Sequence, residues 1–273
     1  MTITLFSAFS GFAQRPKPSE EVGVFLGGSY YIGDLNPMGH FQFTQPAAGL
    51  VARYNFNPRL AARANLLFGS IQGDDSFSNS PAQLQRNLSF KSNIYELSTQ
   101  LEFNFLDYQI GDEKHGFTPY IFGGLAIFHF NPQAKFNGSW VDLQPLGTEG
   151  QGLPDAASKT KYKLTQISLP FGIGVKANLA KSIGVSIEWG MRKTFTDYLD
   201  DVSTTYYDPA VLAAKRGVMA AQLADPSIGT DPKYGNAGRQ RGNPTTTDWY
   251  SFAGIALTVK IKEKRKTCPG VYN

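Results

Sequence analysis

The sequence predicts an all-β fold, an eight-stranded antiparallel transmembrane β-barrel with four long extracellular loops and short periplasmic turns. Three observations predict it. Apolar and polar side chains alternate strictly over long stretches, and the connections between those stretches are alternately long and short. Beyond the extreme N-terminus no apolar run is long enough for a membrane helix, and the mean hydropathy is −0.26. A helical span needs about 18 or more consecutive apolar residues, whereas a barrel strand interleaves lipid-facing residues with polar ones and keeps any window average low.

The clearest strand runs from Leu164 to Leu179, with Ile167, Leu169, Phe171, Ile173, Val175, Ala177 and Leu179 on one face. Gln166, Ser168, Pro170, Gly172, Gly174, Lys176 and Asn178 form the other. This alternation outlasts the usual globular strand of about five or six residues. After Ala180-Lys181 the pattern resumes, Ile183, Val185, Ile187, Trp189 and Met191 opposing Ser182, Gly184, Ser186, Glu188, Gly190 and Arg192, which makes a hairpin. From Ile94 to Phe105, Tyr95, Leu97, Leu101, Phe103 and Phe105 oppose Glu96, Ser98, Gln100, Glu102 and Asn104. Looser versions run over Glu21–Tyr31, Gly49–Phe56, Arg59–Ile71, Thr118–Phe130 and Trp249–Ile261.

The long connections are Ile32–Ala48, Gln72–Asn93, Asn131–Lys163 and Thr194–Asp248, and the shorter ones Asn57-Pro58, Asp107–Phe117 and Ala180-Lys181. Outer-membrane barrels show this asymmetry, with both termini periplasmic when the strand number is even; a soluble β-sandwich seldom does. Tyr30, Tyr31, Tyr54, Phe56, Phe105, Tyr108, Phe128, Phe130, Trp189, Trp249 and Tyr250 sit near strand ends, where interfacial girdles are expected.

The 273 residues are 13% aromatic and 18% charged, with a net charge of +4. Met1–Gln14, apolar and small, resembles the end of a secretory signal peptide, though no Lys or Arg precedes its apolar part. The division is therefore 1–14 signal, 15–262 barrel and 263–273 a basic periplasmic tail. The densest positive charge, Lys260 to Lys266, is too short for nucleic-acid binding and carries no zinc or helix-turn-helix framework. Cys268 stands alone, so no internal disulfide forms; in an oxidising compartment it is a candidate for a disulfide to another chain.

The polar faces place Arg53, Arg63, Glu96, Glu102, Lys176, Glu188, Arg192, Lys260 and Lys262 inside the barrel. A barrel of eight strands is filled by its own side chains, so these are expected to pair as a salt-bridge and hydrogen-bond network rather than line a pore or act as catalytic carboxylates. His40, His115 and His129 lack metal-ligand spacing, and no catalytic grouping or cofactor motif is legible. Asp74-Asp75 and Asp200-Asp201 fall in long loops, where solvated polar residues are expected. Gly27-Gly28, Gly123-Gly124 and Gly172-Ile-Gly174 lie inside strand patterns with no following helix, which excludes phosphate loops and suggests close packing or curvature. In the last loop, Pro209–Ala224 is Ala-rich and is expected to form a short helix with Val211, Leu212, Val218, Met219 and Leu223 on one side, plugging the mouth, packing on the rim or touching another protein.

The segment Glu21–Asn36 (EVGVFLGGSYYIGDLN) resembles the first strand and loop of the PorG-like outer-membrane proteins of Bacteroidota, and the Ala47–Phe68 hairpin is similar too. The resemblance implies a non-enzymatic barrel subunit of the type IX secretion machinery, tied to gliding motility in some species, that contacts a periplasmic ring of a lipoprotein and its partner. In that role, topology and charge point to Lys262, Lys264, Arg265, Lys266 and Cys268 for docking, with Asp107–His115 as a second surface. The alternatives are a stand-alone barrel whose loops bind a ligand or an adhesion target or stabilise the envelope, an outer-membrane enzyme, and an ion channel.

Overall fold

The computed structural model describes residues 18–37, 39–153, 159–227 and 235–261. The signal-peptide stretch and the docking residues Lys262, Lys264, Arg265, Lys266 and Cys268 lie outside them.

Eight long antiparallel strands form a closed barrel: β1 (Ser19–Ile32), β2 (Gln45–Asn55), β3 (Leu60–Asp74), β4 (Ser89–Asn104), β5 (Phe117–Phe136), β7 (Thr165–Ala180), β8 (Ile183–Thr194) and β9 (Trp249–Lys260). Each pairs with its neighbour in sequence around the wall, β1 pairs with β9, and β4 with β5, so no edge is left open. The short β6 (Ser139–Asp142) turns back on the end of β5 and stands outside the ring. The connection expected over Asn131–Lys163 therefore begins as structure: β5 runs on to Phe136, and Asn137-Gly138, with φ of 49° and 84°, makes the tight hairpin that an Asn-Gly pair favours.

The period-two pattern decides which face is which. Leu97, Leu101, Ile127, Ile167, Ile173, Ile187, Ile255 and Leu257 point outward and are exposed, while Glu96, Glu102, Lys176 and Arg192 point inward and are buried. The outer apolar band is bounded at the turn end by Tyr54, Phe56, Phe103 and Phe105, and toward the loop end by Phe68, Tyr95, Phe171 and Trp249. At about 3.3 Å per residue and a strand tilt of about 40°, the girdles lie roughly 20 Å apart. An apolar surface encircling a closed barrel, bounded by two aromatic girdles, is the outside of an outer-membrane β-barrel, because only closed strands and helices satisfy their backbone in lipid.

Not every expected girdle residue is on that surface. Tyr31, Phe128, Phe130 and Tyr250 point inward and are fully buried, since each falls on the inward parity of its strand. Tyr108 folds under the turn end, its ring 5.9 Å from the Lys176 ammonium. Tyr30 points outward but is covered: its hydroxyl accepts from Trp189 Nε1 at 2.8 Å and meets His40 Nδ1 at 3.1 Å, because the first loop lies over the outer wall.

Glycine solves a packing problem inside the wall. A Cβ on Gly172 would stand 2.5 Å from the Phe122 ring and one on Gly174 2.6 Å from the Tyr120 ring, so these bare positions on β7 make room for two rings from β5. In the loops, a one-and-a-half-turn helix, α1 (Pro81–Arg86), precedes β4. The expected helix in the last loop is two, α2 (Pro209–Arg216) and α3 (Val218–Ala224), broken at Gly217, whose φ is 95°. Asp208 caps α2 by accepting from the Ala210 and Val211 amides at 2.8 and 3.0 Å. Leu212, Ala220 and Leu223 are buried against the third long loop, but Val218 is 64% exposed, because the break turns it away from the others.

Candidate functional site: a filled lumen under a braced loop cap

The interior is layered. Nearest the turns, Arg53 donates to Glu21 at 2.6 Å and to both oxygens of Glu102 at 2.8 and 3.2 Å. Arg63 pairs with Glu188 at 2.5 Å and with Glu102 at 3.2 Å, donates to Gln100 at 2.8 Å, and lies 4.3 Å over the Phe122 ring. Lys176 reaches Glu102 and donates to Asn104 Oδ1 at 3.0 Å. Tyr120 donates to Glu188 at 2.6 Å, and Asn55 and Thr258 donate to Glu21 at 2.7 and 3.0 Å. Arg53, Arg63 and Lys176 thus face Glu21, Glu102 and Glu188, and formal charge cancels. Cancellation matters because an unpaired ion in a dry lumen costs several kcal/mol. Lys260 sits at the mouth of this layer, half-buried, its ammonium 3.4 Å from the Ile110 carbonyl.

One step toward the loops a second unit is also neutral: Arg192 pairs with Glu96 at 3.0 Å, and Tyr250 donates to the same carboxylate at 2.9 Å. Above it the lumen is apolar, packed with Phe25, Ile71, Phe90, Ile94, Phe128, Phe130 and Phe252, together with Leu35, Leu199 and Val202 from the loops. Among the described residues these side chains fill that part of the lumen, as expected for a barrel of eight strands.

The loops close the barrel through groups expected in solvent. Asp75, Asp200 and Asp201 are buried, because the four long loops fold onto one another over the mouth. Arg86, at the end of α1, holds Asp75 in a fork at 2.7 and 2.7 Å and donates to the Arg241 and Asp34 carbonyls at 2.8 and 2.9 Å. Glu149 accepts from Arg241 at 3.1 Å and from the Ser203 and Thr204 amides at 2.9 and 3.1 Å. Asp201 accepts from Tyr162 at 2.6 Å and from Thr148. At the floor, the Tyr31 hydroxyl is shared between Asp200 and Asp248, the latter at 3.2 Å, and Asp248 also accepts from the Leu199 amide at 2.9 Å.

Carboxylates outnumber guanidinium groups here, and their acidities respond. Burial pushes Asp197 up to about 7 and Asp201 up to about 6, with Arg241 pulling Asp201 back. Burial also raises Asp34, Asp200 and Asp248, and for the last two the neighbouring Asp34 and Asp200 charges add to it. Among the described residues no three potential ligands are arranged to hold a metal ion. His40 lies on the first loop, His115 pairs with Asp112 at 2.9 Å in a turn, and His129 is on the outer wall. Beside this cap a polar cleft of about 640 Å³ opens between α1 and the last loop, with Gln83, Arg86, Asn236, Arg239, Gln240 and Asn243 on its walls.

Glu21 and Tyr120, outside the expected interior set, belong to the lumen network, and Tyr250 joins it from a position expected at the girdle. Glu21 carries a usable signal: it has the same parity as Phe25, on the inward face of the first strand. The cap residues carry none, because their pairing depends on how each long loop folds back on itself, as Arg86 does on Asp75, and onto the next, as Arg241 does on Glu149.

No curated protein matches the chain. Among solved structures it is similar to Neisserial surface protein A, at 10% identity and TM-score 0.43, over 90% of this chain and 100% of that one. It is also similar to Ail, the attachment invasion locus protein of Yersinia pestis, at 10% identity and TM-score 0.39, over 89% and 97%. A major outer membrane protein from Thermus thermophilus matches at 12% identity and TM-score 0.38, over 90% and 100%. At these values the likeness carries no argument about function. A family model described as a domain of unknown function matches residues 2–208, most of the chain, and the protein therefore belongs to the DUF6089 family.

Proposed function

We propose that this barrel is a non-enzymatic outer-membrane subunit of a type IX secretion and gliding machinery, anchoring a periplasmic ring lipoprotein and its partner. The observation that carries an anchoring role is the lumen, filled by neutral ionic layers and an aromatic plug, which favours a barrel that holds something over one that conducts. β1 starts and β9 ends at the short-turn end, where Lys260 reaches the Asp107–His115 turn through the Ile110 carbonyl, and in this reading that end faces the periplasm. The secretion assignment itself rests on the resemblance of Glu21–Asn36 and Ala47–Phe68 to PorG-like proteins.

The test is isolation of the tagged protein from outer membranes in mild detergent, on reducing and non-reducing gels, with Cys268→Ala and a charge-reversed tail (Lys262, Lys264, Arg265 and Lys266 to Glu) beside the parent. Recovery of a periplasmic lipoprotein with the parent, lost on charge reversal, supports the reading; a reducible adduct absent from Cys268→Ala would add a covalent link. Unchanged co-purification after charge reversal sinks the docking surface, and recovery of the barrel alone sinks the ring. The second reading, a stand-alone barrel acting through its loops, is favoured by the braced cap and its polar cleft. Gene deletion that leaves secretion intact would select it.

A further inference from the structure

The outer face of β4 and β5 changes character in paired steps toward the loop end. Leu97 stands opposite Ile127, Tyr95 opposite His129, Asn93 opposite Asn131, and Lys91 opposite Gln133. All are outward positions, so a molecule standing in the outer leaflet beside this wall meets aliphatic, aromatic, amide and cationic side chains in that order. Phe68 widens the aromatic step, its ring 5.2 Å from that of Tyr95.

The hairpin to β6 completes the upper end. Lys135 pairs with Trp140, and two ammonium groups lie near the indole, Lys135 at 5.4 Å and Lys91 at 5.8 Å from the ring centroid. Trp140 is 46% exposed, so the hairpin does not exist to bury it. The one carboxylate within the patch, Asp142, is occupied by the Asn131 and Gln133 amides at 2.9 and 2.6 Å, which leaves a local charge of one positive unit beside the two amides it holds in place. Two ammonium groups held close to one ring, above polar side chains and an apolar wall, are complementary to an anionic headgroup carrying acyl chains.

We propose that this face binds one phosphorylated lipid of the surrounding leaflet. Its phosphate lies between Lys91 and Lys135 against Trp140, its polar headgroup over Asn93 and Asn131, and its chains along Leu97 and Ile127. The site rests on the membrane-barrel reading but not on any role in secretion. Elsewhere on the outer wall, Lys193 lies 5.8 Å from Trp249, opposite Leu169 and with Phe171 packed on the same indole, and serves as an internal control.

Native mass spectrometry of the full chain in detergent, titrated with diphosphoryl lipid A and with phosphatidylethanolamine, reads the site directly. The parent is expected to retain one diphosphoryl lipid in preference to phosphatidylethanolamine. Lys91→Gln with Lys135→Gln should weaken that retention roughly ten- to thirtyfold, while Lys91→Arg with Lys135→Arg and the control Lys193→Gln stay within about twofold. Equal retention by the Gln pair and the parent overturns the proposal, as does full displacement by millimolar inorganic phosphate, which would make the site one for the anion alone. Heat-modifiable migration on gels is read for every variant. A parent that shows none would overturn the membrane-barrel reading, whereas a heat-modifiable parent without lipid preference overturns only this site.

Discussion

Glu102→Gln tests the central claim that the lumen is held by matched charge. The substitution keeps shape and leaves no cavity, so its cost isolates electrostatics. Glu102 is fully buried and touches Arg53 through two contacts at 2.8 and 3.2 Å, Arg63 at 3.2 Å, and Lys176. Without its charge, three cations would share Glu21 and Glu188, and an amide hydrogen would face Arg53 or Lys176. Removing one partner of a buried pair costs about 3–5 kcal/mol, a large part of the roughly 5–15 kcal/mol that holds a domain of ordinary stability. The assay is urea unfolding of the barrel in lipid vesicles, followed by tryptophan fluorescence and by the heat-modifiable band. The double variant Glu102→Gln with Lys176→Met restores a neutral layer and should recover part of the loss, with a coupling of about 1–3 kcal/mol. A single variant within about 0.5 kcal/mol of the parent, or strict additivity in the double, would refute the reasoning.

Asp107→Asn, which breaks the half-exposed Arg59–Asp107 pair between two turns, should cost no more than about 1 kcal/mol in the same assay. Gly174→Val would drive a side chain into the Tyr120 ring, 2.6 Å from where its Cβ must sit, and should destabilise the barrel by about 1–3 kcal/mol, read as a lower urea midpoint. The cap should be more stable in mild acid. Asp197, at about 7, and Asp201, at about 6, titrate above the ordinary carboxylate range, so folding is penalised once they ionise, and protection is lost as pH rises from about 4 through 7. Hydrogen exchange of the 195–227 segment at pH 5.5 and 8 checks this, and equal protection would contradict it. In planar bilayers the parent should show no discrete conductance steps; steady openings would contradict the aromatic plug of Phe25, Phe128, Phe130 and Phe252.

Much of this architecture is legible in the chain alone, and for one reason. A strand with lipid on one side and a narrow polar lumen on the other must alternate, so parity by itself assigned Leu97 to the outside and Glu96 to the inside, and did so wherever the alternation was unbroken. Parity even covers residues that composition misassigns: Tyr31, Phe128 and Tyr250 look like girdle aromatics, yet each sits on an inward position and fills the core. Alternation also shows which cations and carboxylates share the lumen. It cannot say that Glu102 rather than Glu96 meets Arg53, Arg63 and Lys176, because the stagger of strands around a closed barrel sets the height at which side chains meet, and that emerges only when the ring closes. The cap lies further from reach. Asp75, Asp200 and Asp201 read as solvated loop acids until Arg86 folds back on Asp75 within the second long loop, Arg241 on Asp201 within the last, and the Tyr31 hydroxyl meets Asp200 from β1, pairings that no local period encodes and that burial of the whole assembly makes obligatory.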